Sequence, residues 1–318
     1  MITPDRYPVV TTPGEFMMRR PFACLFMATL TAATSSPSER VIAPDGRETL
    51  SVNGVTRTVL IDPAALGIPI ITKSYAEAAG MKPGMIEIGF RVGPVRIDGK
   101  SAVAEVQSGA GAAFKRRIAF AEQPYATGYD GVFGPASLAD PVIRFRLRAP
   151  QPGERVVSLP MVGGGGMFGD WGSRYVVIPI EGEPMRVIFN PRNPRSTTNA
   201  GGAVRLARAY GGQLSGAATQ QEIVFGVTRP IRTMTLKTSV AIGPFAMSQL
   251  GVRTVDFGST ATIADADAPA GDPDEVVVTG KGRRNPKKDW LSIGADQLNR
   301  CSSIVFDKPA RQVRLSCL

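Results

Sequence analysis

The chain has 318 residues, 43% of them hydrophobic, with 35 Gly, 26 Pro and a formal net charge of +10. That length suits one large or two ordinary domains, and the abundance of Gly, Pro, Val, Ile and Thr favours short strands joined by turns. Histidine is absent, which excludes Ser-His and Cys-His catalysis and every His-based metal site, and leaves acid–base work to Asp, Glu, Lys or Tyr.

Residues 1–34 read as an N-terminal extension and signal peptide. Met17-Met18-Arg19-Arg20 is a basic start, residues 21–33 are an apolar run, and small residues end it. The run is too short to span a bilayer; a buried N-terminal helix is the alternative. Cys24 would leave with the signal, which leaves Cys301 and Cys317. An even count in an exported protein suggests a disulfide, with two free buried thiols as the alternative. No later apolar run reaches membrane length, so the expectation is a periplasmic or secreted protein with no stable membrane span.

Residues 48–71, "ETLSVNGVTRTVLIDPAALGIPII", read as strand, turn, strand, with Asn53-Gly54 as the hairpin signal. Residues 74–80 read as a short helix closed by Gly80. Strands then continue through residues 142–147. The run Gly163-Gly164-Gly165-Gly166 lacks the Gly-Lys-Ser/Thr that a phosphate cradle needs. It therefore reads as part of a linker, residues 161–173, between segments 45–160 and 174–318.

The second segment repeats the first. A shift of 128 positions puts Gly54 on Gly182, Val59 on Val187 and Asp62 on Asn190 without a gap. The first copy ends Asp62-Pro63-Ala64 and the second Asn190-Pro191-Arg192. Helix-like residues 74–80 and 202–210 follow. Downstream, Val132-Phe133-Gly134 and Leu291-Ser292-Ile293-Gly294 form a second pair of apolar-Gly elements, each followed by a short helix. The second copy is longer by an interval that nearly equals residues 259–288. That stretch runs from small and acidic to basic without aromatic anchors, so it reads as a disordered insertion. Its basic end, residues 281–288, reads as a solvated loop. No aromatics interleave with the charges, and no nucleic-acid partner is expected.

Two copies of a strand ending at an Asp-like position, each followed by an apolar-Gly element, resemble the two lobes of pepsin-like and retropepsin-like aspartic proteases. The bacterial exported "aspartyl protease" type is the most similar. The resemblance covers residues 45–318 apart from the insertion. It implies an all-β, two-lobed acid-protease double barrel with a central cleft between pseudo-symmetric lobes. In that family each lobe gives Asp-Thr/Ser-Gly to a catalytic dyad, and the apolar-Gly element forms a ψ-shaped loop beneath it. Asp62 takes the first dyad position and Asn190 the second. Ala64, Arg192, Gly134 and Gly294 are the implied binding positions. The ending "CSSIVFDKPARQVRLSCL" is similar to the family's last hairpin, clasped here by Cys301–Cys317.

The departures from the family decide the expected chemistry. Two close carboxylates share one proton, so one serves as base and the other as acid. Asn190 does neither near neutral pH. Pro63 and Pro191 lack both the family hydroxyl and an N–H. Ala64 and Arg192 replace the open-torsion Gly, and Arg192 brings a cation toward Asp62. Deamidation of Asn190 is blocked, because Pro191 offers no attacking backbone N–H. The expectation is therefore a monomeric, cofactor-free and metal-free protein, catalytically degenerate, whose cleft binds an extended peptide or an envelope protein. The alternatives are an active endopeptidase using an Asp62/Asn190 centre, and an envelope scaffold acting through residues 259–288.

Overall fold

A computed structural model describes residues 38–109, 111–163, 171–268 and 288–318. The signal segment with Cys24, most of the Gly163–Gly166 run, and residues 269–287 of the expected insertion lie outside these. The fold is all-β, with twenty strands and three short α-helices among the described residues.

The turn Asn53-Gly54 sets the first strand pair. Both residues have positive φ (46° and 83°), as a tight hairpin between right-twisted strands requires. It joins Arg47–Val52 to Val55–Ile61 in antiparallel register. Val55–Ile61 begins exposed and finishes with Val59, Leu60 and Ile61 all buried. Such burial is worth about 1.5–3 kcal/mol per large aliphatic side chain. The same hairpin recurs at Glu181-Gly182 (φ 51° and 77°), between Val176–Ile180 and Glu183–Phe189.

Each hairpin belongs to a larger sheet, and the two sheets share one plan. The first runs Arg47–Val52, Val55–Ile61, Gly131–Phe133, Ile70–Thr72, Phe114–Ala121, Val95–Ser108, Ile88–Val92. The second runs Val176–Ile180, Glu183–Phe189, Trp290–Ile293, Thr197–Asn199, Phe245–Arg253, Thr228–Ile242, Gly212–Glu222. The parallel or antiparallel sense of every successive pair matches. The first sheet closes into a six-strand barrel through pairing of Arg47–Val52 with Val95–Ser108. The second carries the extra edge strand Ala264–Asp265.

A five-stranded sheet draws on both repeats, in the order Glu39–Ile42, Val142–Arg146, Cys301–Asp307, Gln312–Cys317, Arg155–Pro160. Its first strand precedes the boundary at residue 45 that the sequence suggests. Cys301 and Cys317 sit opposite each other in this sheet and are disulfide-bonded, in agreement with the sequence expectation.

The helix Lys73–Ala78 is capped by the Thr72 hydroxyl, and the helix Ala200–Tyr210 by the Asn199 side chain. Each helix sends one buried polar group back to its hairpin. The Tyr75 hydroxyl lies 2.9 Å from both Leu50 O and Val55 O. Arg205, fully buried, donates to the carbonyls of Ile180, Glu183 and Pro184 and pairs with buried Asp289.

The first ten residues of the expected disordered insertion are ordered. Residues 259–268 are described and attached to the second sheet. Asp265 is clamped by both Arg232 guanidinium nitrogens at 2.6 and 2.9 Å. Asp267 accepts from the Gly216 N–H at 2.5 Å. Carboxylates in the small, acidic start of the expected disordered insertion are tied down by an arginine more than thirty residues away.

Candidate functional site

Asp62 and Asn190 occupy equivalent places. The Asp62 N–H donates to Phe133 O at 2.9 Å, and the Asn190 N–H to Ile293 O at 2.8 Å. Asp62 Oδ1 accepts from the Ala64 N–H at 2.7 Å, and Asn190 Oδ1 from the Arg192 N–H at 3.2 Å. Each side chain is thus fixed by an Asx-type turn made by its own loop.

Gly134 and Gly294 explain how those loops fit. A Cβ on Gly134 would stand 2.6 Å from Leu66 O, and one on Gly294 would stand 2.5 Å from Arg195 O. In each repeat the loop after the Asp or Asn position crosses directly over the glycine. Gly134 and Gly294 are therefore packing positions outside the pocket lining. Ala64 also lies outside it and serves Asp62 through its backbone.

Asp62 and Asn190 line one pocket of ≈ 390 Å³, together with Arg192. The first repeat adds Leu60 and Tyr125–Thr127, and the second adds Asn193, Pro194, Gln221–Val224 and Arg253. Tyr125, Gln221, Glu222 and Arg253 were not legible in the sequence. Tyr125 is on a connecting loop, and the other three come from long strands whose alternation shows a buried face but not what it meets. The one local hint was Phe225-Gly226, a turn signal between polar-apolar alternations.

The pocket electrostatics are one-sided. Asp62 is only 5% exposed. Burial raises its carboxyl above the ordinary value, against the opposing Ala64 hydrogen bond and the Arg192 charge. Arg192 does not form the ion pair with Asp62 that its position suggested. Its guanidinium donates to Asp45 O at 3.1 Å and lies 5.8 Å from the Tyr129 ring, over which Arg47 also sits. A cation that finds a carbonyl and an aromatic face beside solvent need not be desolvated against a buried carboxyl. Burial also raises the Tyr125 hydroxyl, reinforced by the Asp62 charge.

Asn190 is held among other amides. Gln221 donates to Asn193 Oδ1, and Asn193 Nδ2 donates to Thr197 Oγ1 at 3.1 Å. Among the described residues no cluster of three metal-ligating side chains occurs, and no helix is long and apolar enough to cross a membrane. The pocket thus presents the Asp62 carboxyl, which burial raises, a second carboxylate, Glu222, the Arg192 and Arg253 cations, the Tyr125 hydroxyl, and the Asn190, Asn193 and Gln221 amides. Comparison of the chain with protein-family models and with curated proteins finds no match.

Proposed function

We propose that this is a two-lobed protein of the aspartic-peptidase type, exported to the periplasm or beyond, that binds an extended peptide between its repeats without cleaving it. The observation that carries the reading is the equivalence of Asp62 and Asn190. Each follows the corresponding strand of its repeat and bonds the corresponding neighbouring element, and the two line one pocket. A dyad mechanism needs one group to take a proton while the other gives one. The Asn190 amide does neither. Losing one member of such a coupled pair costs several orders of magnitude in rate. The Asn190, Asn193 and Gln221 amides in the lining suit strand-like recognition, in which hydrogen bonds to the ligand's main chain hold it.

The test incubates the purified protein with an unfolded protein substrate from about pH 3 to about pH 8, the range in which a carboxyl titrates. The expected result is no cleavage by the wild type, and little or none by Asn190→Asp, because Pro63 and Pro191 still differ from the family. Cleavage by the wild type that Asp62→Ala abolishes would overturn the reading.

One observation favours a second reading, an active hydrolase. Glu222 brings a second carboxylate to the pocket from outside the dyad position. Asp62, whose carboxyl burial raises, would then be the acid and Glu222 the base. This reading predicts activity that Glu222→Gln removes.

A further inference from the structure

The strands Gly212–Glu222 and Thr228–Ile242 form a hairpin whose tip, residues 223–227, leaves its own repeat. Ile223 and Val224 line the pocket that holds Asp62. Phe225 is 5% exposed, and its seat is made by the first repeat. Its ring lies 5.2 Å from Phe90 and 5.2 Å, edge-on, from Tyr125. It belongs to the same apolar cluster as Leu60, Ile70 and Val132. Its N–H donates to Tyr125 O at 3.0 Å.

The tip is held there against local preference. Phe225 has φ +57°, in the left-handed region that bulky side chains rarely occupy. The short loop is closed by Ile223 N–H to Val227 O and by Val227 N–H to Val224 O. The seat, with its aromatic walls and one accepting carbonyl, compensates for that backbone conformation. It also matches what a bound strand would offer, namely one aromatic side chain and one main-chain donor beside Asp62.

We propose that the tip is a built-in occupant of a peptide seat adjoining the pocket wall, and that the ligand is an extended peptide whose aromatic side chain displaces Phe225 from this seat. The proposal rests on the peptide-binding reading above and names the ligand class. The tip is a competitor at high effective concentration, so it weakens every external ligand by the fraction of time it is seated.

The test uses a labelled linear peptide copying residues 220–229, the same peptide with Ala in place of the aromatic residue, and three full-length proteins: wild type, Phe225→Ala and Phe225→Leu. Affinity is read by fluorescence polarisation, and amide exchange is followed at residues 223–227. The expected result is at least tenfold tighter binding of the aromatic peptide to Phe225→Ala than to wild type. Phe225→Leu should behave like wild type, the Ala peptide should not bind, and exchange at the tip should be faster in Phe225→Ala. Equal affinity of wild type and Phe225→Ala with unchanged exchange overturns the proposal and leaves peptide binding standing. Faster exchange with no peptide bound to any protein overturns both. Should Phe225→Ala not fold, the wild type decides alone: saturating aromatic peptide must accelerate exchange at 223–227, and protection or no change there sinks the idea.

Discussion

At Asp62, burial and chemistry pull in one direction. The raised carboxyl means that the folded protein holds this proton more tightly than the unfolded chain does. The resulting stability is complete below the ordinary carboxyl value near 3.8 and is lost as pH rises through the raised one. Asn190 shows that an amide keeps the local turn bond in the equivalent loop. Asp62→Asn is therefore expected to match wild type near pH 3 and to melt at higher temperature near neutrality. The gain is about 1.4 kcal/mol per pH unit by which the carboxyl is displaced. Melting curves from about pH 3 to about pH 8 check this, and a wild type that gains on the variant as pH rises would contradict it. Arg205 is the opposite case, a buried charge answered by an ion pair and three carbonyls, with only its Nε lacking a hydrogen bond. Arg205→Ala removes the ion pair to buried Asp289 and the side-chain donors to three hairpin carbonyls. The expected loss is about 3–5 kcal/mol in urea unfolding. A loss under about 1 kcal/mol would mean that water replaces the guanidinium at little cost.

At the scale of elements, the two apolar-Gly strands tolerate no side chain at Gly134 or Gly294. The crossing loop leaves backbone atoms where a Cβ would go. Gly134→Ala and Gly294→Ala should each destabilise by about 1–3 kcal/mol, and similarly, because the same crossing is made twice. If denaturant midpoints shift for one and not the other, the equivalence of the loops is wrong. The disulfide closes a sequence separation of 16 residues. Replacing both cysteines by Ala should cost about 3 kcal/mol on the chain-entropy account. These elements were legible early. Asn53-Gly54 announced its turn, Asp62 and Asn190 aligned without a gap, and Gly134 and Gly294 stood out among apolar neighbours, because turns and close approaches depend on a few local residues. The hairpin tip around Phe225 was not legible, since its seat is built from residues far away in the chain.

At the scale of the molecule, neither repeat is self-sufficient. Arg155–Pro160 in the first half finds its partner in Gln312–Cys317, and Val142–Arg146 lies between Glu39–Ile42 and Cys301–Asp307. Fragments ending at residue 163 and starting at residue 171 should each lack a cooperative melt alone and regain one on mixing. Calorimetry and co-elution test this, and a fragment that melts cooperatively by itself would show that the shared sheet is dispensable. The two hairpin tips add to that dependence. Gly93 leaves no room for a side chain beside the Arg229–Asp256 ion pair of the second repeat, and Phe225 docks in the first. The chain's own residue order carried the duplication, the strand ends, the turns and the equivalence of Asp62 with Asn190, since each depends on neighbours within a few residues. The folded contacts alone settled that Arg192 turns to Asp45 and Tyr129, that Asp265 is clamped by Arg232, and that a hairpin tip shares the pocket with Asp62. Those outcomes turn on which distant groups offer the cheaper desolvation, and no local pattern encodes that comparison.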